Sequence, residues 1–250
     1  MREPLISVIM PTYNRCDMIG NAITSILRQH YPDFELIIVD DGSTDHTILK
    51  VLEYPDSRIR FEILGHGEDF GIGALNYGMD LAKGKYLTYI SSDNIYFSYF
   101  LRTLLDGLDD SGADFAYSNF LNYEKDNFQV EEFTRPAHLG GQLKLHHLAV
   151  GYTIGICFLY KRELFEKVRP YRPGPHSDYD LVARMAIEGA EFLKIDSLLG
   201  INTVHDGQLS ETSQDMASEK EIRLMVCKHL KKLKYPGAEA LEKKAAGDWK

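Results

Sequence analysis

"ELIIVDDGSTD", Glu35 to Asp45, decides how this chain folds. Four consecutive apolar residues, mostly β-branched, run into two aspartates, a glycine and a serine. An apolar run without alternation is the mark of a strand covered on both faces, as in a parallel sheet. The polar cluster behind it is a turn, and Ser43 or Thr44 is placed to cap a following helix. The same pattern recurs on either side. Leu5 to Met10 is an apolar run stopped by Pro11, and Asp17 is placed to cap the next helix. In that helix Ile19, Ala22, Ile23, Ile26 and Leu27 share one face at spacings of three and four. Ile59 to Leu64 reads as a third strand, and "GIGALNYGMDLAKG" as a Gly-rich entry, a helix and a stop. Tyr86 to Ile90 is a fourth strand, and Tyr99 to Leu108 a further helix.

This alternation predicts an α/β fold with a right-handed, mostly parallel sheet flanked by helices. Ligands of such sheets bind beyond the carboxyl ends of the strands. "MPTYNR", "VDDGS" and "ISSDN" lie at three of those ends. The second half is less regular. Asp114 to Tyr123, Gln129 to Thr134, Ile154 to Tyr160 and Phe192 to Leu199 read as strands, and Asp180 to Ile187 as a helix. With no linker or repeat, residues 1–210 read as one domain. Its nucleotide half would be 1–110, its smaller mixed acceptor half 111–210, and 211–250 a helical extension.

The chain has 250 residues, 44% hydrophobic and 26% charged, as expected of a globular protein. Asp plus Glu number 37 against 28 Lys plus Arg, a formal charge of −9 that argues against nucleic acid as a partner. Three scattered cysteines with no CxxC pair argue for reduced thiols and a cytoplasmic location. The N-terminus carries no signal-peptide pattern, and no apolar run is long enough to span a bilayer. From Ala217 to Lys234 six lysines and arginines face two glutamates. The apolar positions Ile222, Leu224, Met225, Val226, Leu230 and Leu233 form a packing face; the alternative is peripheral contact with the inner membrane surface.

Other nucleotide folds are poorly matched. No GxxxxGK[ST] loop occurs. The turn after the first strand, "PTYNRCD", holds no glycine, unlike a dinucleotide fingerprint. "GHGEDFGIG", Gly65 to Gly73, has the wrong spacing, and its expected use is a tight turn leaving the next helix N-terminus to meet phosphate. A GxSxG nucleophile elbow is absent.

Ser7 to Thr47, "SVIMPTYNRCDMIGNAITSILRQHYPDFELIIVDDGSTDHT", strongly resembles the opening of the family 2 glycosyltransferases. The likeness continues through "GIGALNYGMDLAKGKYLTYISSDN" and, more weakly, through "HSDYDLVARMAIEGAEF" and "LLGINTVHDGQLS". It implies a GT-A fold and an inverting transfer of sugar from a nucleoside-diphosphate donor, usually of uridine, to a hydroxyl of a glycan or lipid-linked glycan. Pro11, Thr12, Tyr13 and Arg15 would line base and ribose, and Asp40, beside Asp41, would accept a hydrogen bond from the base. Gly71 and Asn76 would wall the diphosphate and sugar, with Ser92 also on the nucleotide. Asp93 would be the carboxylate for Mn²⁺ or Mg²⁺, joined by His205, and Asp178 the catalytic base.

The chain departs from the family pattern at Leu75, Ser91, Ser177 and Thr203, where relatives carry arginine, aspartate, glutamate and arginine. Those departures keep a second reading open, a non-catalytic nucleotide-sugar-binding domain within a complex. Each site residue has a plain structural reading too. Asp40, Asp41 and Asp93 could cap helices, Asp178 could be a first-turn acid, with Asp180 the alternative base, and His205 a loop residue. His146 and His147 read as structural. Tyr96, Phe97, Tyr152 and Tyr171 could stack on sugar or fill the core.

Overall fold

The computed structural model describes residues 3–67, 69, 71–124, 130–132, 143–151, 154–205 and 216–247. Its elements run β1 (Ile6–Thr12), α1 (Ile19–Leu27), β2 (Phe34–Asp40), α2 (Thr47–Leu52), β3 (Ile59–Ile63), α3 (Ile72–Leu81) and β4 (Tyr86–Tyr89). There follow β5 (Ile95–Tyr96), α4 (Phe100–Ser111), β6 (Phe115–Glu124), β7 (Val130–Glu132), α5 (Leu145–Leu148) and β8 (Phe158–Lys161). The chain continues with α6 (Arg162–Val168), α7 (Ser177–Ile187), β9 (Phe192–Val204), α8 (Met216–Lys232) and α9 (Ala238–Ala245).

One sheet holds all the described strands, in the order β3-β2-β1-β4-β8-β6-β9-β5, with β7 on β6. The four strands of the first half, β1 to β4, pair in parallel, as the alternating pattern predicts. The mixed region is a continuation of that sheet. β8 enters antiparallel between β4 and β6, and β9 then runs parallel to β6.

Both faces of the parallel strands are covered, which is why their sequences do not alternate in polarity. Ile6, Val8 and Met10 turn to one side, against Ile23 and Ile26 of α1 and Leu101 and Leu105 of α4. Ile9, Ile37 and Val39 turn to the other, against Ala74, Leu75 and Met79 of α3. Leu75, which replaces the family's arginine, is therefore a core residue, 3% exposed.

Several expected boundaries are corrected. Pro11 does not stop β1, which runs through it to Thr12. The carbonyl of Ile9 accepts from Ile90, so Ile9 and Pro11 both face β4. β4 has already left its ladder there, so the missing N–H costs no bond. Asp17 does not cap α1; Met18 is the N-cap and no side chain caps it. Neither Ser43 nor Thr44 caps α2, whose N-cap is His46. The strand expected from Ile154 begins only at Phe158, and the one expected to end at Leu199 runs to Val204. Gln129, Phe133 and Thr134 of another expected strand lie outside the described residues, as does Tyr152.

The C-terminal helix α8 places Ile222, Val226 and Leu230 in the same core as Leu148 and Val182. That much of its apolar face is used in packing, as the first of the two readings has it, with Leu224 and Met225 partly buried against the core, but Leu233, expected on the same face, is 62% exposed. Among the described residues no helix is long and apolar enough to cross a membrane.

Candidate active site

The loops after β1, β2 and β4 meet at one edge of the sheet, stitched by side chains of the motifs themselves. Asn14 adopts φ 49°, a left-handed conformation that asparagine tolerates better than most residues. Its Oδ1 accepts from the main-chain N–H of Thr44 at 2.8 Å, and its own N–H donates to Ser43 Oγ at 2.9 Å. Arg15 N donates to Thr47 Oγ1 at 2.7 Å and Cys16 N to Asp45 Oδ2 at 3.2 Å. Asp45 Oδ1 in turn accepts from Thr47 N at 2.9 Å. Burial pushes the Asp45 carboxyl up, but the bonds from Thr47 and Cys16 outweigh it and hold it down at about 2. A depressed carboxyl contributes stability above its unfolded-state range near 4 and loses it as the pH falls toward 2. Urea midpoints measured from pH 5 down to 2 should therefore fall less steeply in Asp45→Asn than in the wild type. Equal slopes would remove Asp45 from this role.

Asp40 is fully buried and Asp41 nearly so. Asp40 Oδ1 accepts from Ser43 N at 2.8 Å, while Oδ2 is buried without a partner. Thr12, its neighbour in the β1–β2 register, likewise has a buried hydroxyl with no partner. Asp41 holds the next loop: Oδ1 accepts from Gly67 N at 3.3 Å and Oδ2 lies 3.1 Å from His66 Nδ1. The His66 ring stacks on Tyr13, centroids 4.0 Å apart and planes within 9°. Asp40 and Asp41 thus organise loops and cap no helix.

The third cluster brings Asp93 and His205 together from 112 residues apart: His205 Nε2 lies 3.1 Å from Asp93 Oδ2. Asn94 makes the join, its Oδ1 accepting from Thr203 N at 3.0 Å at the end of β9. Arg15, expected on the nucleotide, donates through Nε to the same Asp93 oxygen at 3.4 Å. Asp93 is not a helix cap; α4 starts at Phe100 with Tyr99 before it. A largely apolar cavity of about 330 Å³ opens beside Asp93, lined by Met18, Asn21, Ile95, Tyr123, Ile201 and Thr203. Ser92 is buried next to Asp93.

Asp178 sits in the first turn of α7, its Oδ1 accepting from Tyr179 N at 2.8 Å. Burial, with the Asp178 charge adding to it, holds the Tyr89 phenol well above its usual range. Tyr89, the last residue of β4, packs edge-on against Tyr171 of the segment leading into α7, with ring centroids 5.7 Å apart. Asp180, the alternative base, is committed to Arg184 at 2.7 Å and Arg172 at 3.3 Å.

Two expected roles read differently in three dimensions. The Asn76 amide is engaged at both atoms with the main chain of Tyr171, at 2.9 Å each way, so it holds the segment leading to α7. The N-terminus of α3 is not left open for phosphate: Asp69 Oδ2 accepts from Gly73 N at 2.7 Å. Gly71 precedes it at φ 73°, with open space where a Cβ would project. Tyr96 and Tyr171 are core, 2% and 1% exposed. His147 is structural, its Nδ1 accepting from Lys144 N at 3.1 Å. His66, Asn14, Asp45 and Asn94 were not legible as site residues. Only the left-handed preference of Asn14, between strand and helix, offered a signal.

Among the described residues no third carboxylate, imidazole or thiolate joins Asp93 and His205. One carboxylate and one imidazole still fit a divalent cation whose other ligands come from a diphosphate and water.

A parallel sheet with acidic loops at its carboxyl edge and a mixed extension is the architecture of the GT-A class. Solved structures agree on the fold. Staphylococcus aureus TarS 1-349 in complex with UDP-GlcNAc superposes with a TM-score of 0.76 at 17% identity, over 98% of this chain and 71% of that one. The mannosyltransferase PcManGT from Pyrobaculum calidifontis, in complex with GDP-Man and Mn²⁺, gives 0.64 at 19% identity, over 98% and 74%. The sequence model described as Glycosyl transferase family 2 matches residues 7–169, and the chain belongs to that family as a glycosyltransferase domain. It is 31% identical over 151 residues to the UDP-Glc:alpha-D-GlcNAc-diphosphoundecaprenol beta-1,3-glucosyltransferase WfgD of Escherichia coli. That match spans 60% of this chain and 59% of the relative's length.

Proposed function

We propose that this chain transfers a sugar from a nucleoside diphosphate, with uridine the favoured base, to a hydroxyl of a glycan on a lipid diphosphate, inverting the sugar carbon. The observation that carries the donor is the buried Asp40 Oδ2 without a partner, beside the equally unpartnered Thr12 hydroxyl. Leaving such an oxygen unpaired costs free energy that a ligand N–H would recover. Uracil N3 and guanine N1 carry that hydrogen on the ring, whereas cytosine N3 and adenine N1 present a lone pair there and offer N–H only from the exocyclic amine. Tyr13 supplies a ring for the base to stack on, in competition with His66. The acceptor class is supported by the name of the Escherichia coli relative.

In the transfer the acceptor oxygen bonds to the anomeric carbon as the bond to the diphosphate breaks, its electron pair leaving with the phosphate. Asp178 takes the hydroxyl proton. Attack opposite the leaving group inverts the carbon. Asp93 and His205 would hold a divalent cation with diphosphate oxygens, and when bound it supplies positive charge against the leaving group. Arg15, on Asp93, is the nearby cation of the chain itself.

A thermal-shift panel of UDP, GDP, CDP and ADP with Mn²⁺ tests the reading. UDP should raise the melting temperature more than CDP or ADP does. Asp40→Asn should weaken UDP by about 10–100-fold. Equal stabilisation by all four, or an unaltered UDP affinity in Asp40→Asn, would sink the assignment.

A further inference from the structure

A second cavity, of about 470 Å³, lies between the ends of α6 and α7 and the side of α8. Its lining residues on α7, Arg184 and Ile187, lie about 9 and 14 Å along the helix from Asp178. Six cationic side chains line it: Lys167, Arg169, Arg172, Arg184, Lys228 and Lys232. His229 joins them, and Glu188 is the one acid in the described lining. The chain as a whole has 37 acids against 28 bases, so this concentration of one sign runs against its composition.

Part of the cluster serves the fold. Arg184 pairs with Asp180 and donates to the carbonyls of Val168 and Pro170, which neutralises the carbonyl end of α6. Arg169 pairs with Glu166 and Asp80, and Arg172 shares Asp180. Lys167, Lys228 and Lys232 have no carboxylate within ion-pair distance among the described residues. They come from two different elements and converge on one space. Met225, Lys228, His229 and Lys232 recur at helical spacing, a stripe beside the one that carries Ile222, Val226 and Leu230 into the core. The helix therefore holds these lysines at the cavity while its packing face is fixed. Neighbouring Arg223 and Lys231, off this stripe, are paired with Glu219 and Glu242.

Converging like charges repel, and a multiply charged oxyanion with several acceptors relieves that repulsion through charge-assisted hydrogen bonds. We propose that this cavity binds a phosphate-bearing anion, offered either as the headgroup of an anionic phospholipid or as free phosphate. The site is separate from the donor site and makes no use of Asp40, Asp93 or Asp178.

The test compares the wild type, Lys228→Gln/Lys232→Gln and a charge-matched control, Lys243→Gln/Lys244→Gln on α9. Each is sedimented with phosphatidylcholine vesicles with and without phosphatidylglycerol, and melted with and without inorganic phosphate. A headgroup site predicts binding that requires phosphatidylglycerol, weakened about 30-fold in the Lys228/Lys232 variant and kept in the control. A free-phosphate site predicts stabilisation by inorganic phosphate in the wild type and control but not in that variant, with no vesicle preference. Absence of both effects, or equal loss in the control, overturns the proposal. If the double variant does not melt cooperatively, Lys228→Gln alone repeats the comparison. UDP affinity should be unchanged in all of them.

Discussion

Asp178→Asn is expected to lower turnover by about 10²–10⁴-fold while UDP-sugar affinity stays as in the wild type. The substitution keeps the shape of the side chain and its place in the first turn of α7, and removes only the ability to take a proton. Asp180 is close in sequence and would be the competing base, but its oxygens are occupied by Arg184 and Arg172. Its removal leaves those guanidiniums without their carboxylate and should lower stability more than it lowers turnover of the folded fraction. Single-turnover rates with calorimetric donor binding separate the two residues. Near-normal turnover in Asp178→Asn would take the role from it. The anomeric configuration of the product, read by NMR, tests inversion independently.

The second large effect concerns the metal. With one carboxylate and one imidazole, Mn²⁺ should bind weakly alone and much more tightly when UDP supplies further oxygens. Thermodynamic linkage requires UDP affinity to rise with Mn²⁺ by the same factor. Asp93→Asn should weaken Mn²⁺ binding to the UDP complex by at least about 100-fold, since even residues that merely orient a metal ligand cost 10–100-fold. Mn²⁺ titrations by electron paramagnetic resonance, with and without UDP, give both numbers. Equal Mn²⁺ affinity in the two states would contradict a shared site.

The three motifs differ in how far they could be read from sequence. "ELIIVDD" declared its strand because a segment buried on both faces has no solvent side on which to place polar residues. "PTYNR" and "SSDN" were legible as candidate site segments through their place after such strands and their family likeness, but their internal bonding was not. Asn14 meets Thr44, Asn94 meets Thr203, Arg15 meets Asp93 and Asn76 meets Tyr171, each across 30 to 109 residues. Sequence spacing carries no information about partners at such distances. Cap assignments failed for a related reason. Asp17 and Ser43 come shortly before helix starts in sequence, but α2 begins only at Thr47, Ser43 receives the N–H of Asn14, and no side chain caps α1. That Asp180, two residues after Asp178 in α7, is held by Arg172 and Arg184 was visible only in the structure.

The sequence by itself determined the parallel half of the sheet and the family, because these depend on local polarity patterns and contiguous motifs. Tertiary structure alone decided that β8 and β9 extend the same sheet and that α8 packs on its core. It also brought His205 onto Asp93, left Asp40 and Thr12 with buried atoms that have no partner among the described residues, and gathered the lysines of α6 and α8 around one cavity. Those outcomes come from long-range pairing and from the filling of a shared interior, in which each side chain's partner is set by the whole chain.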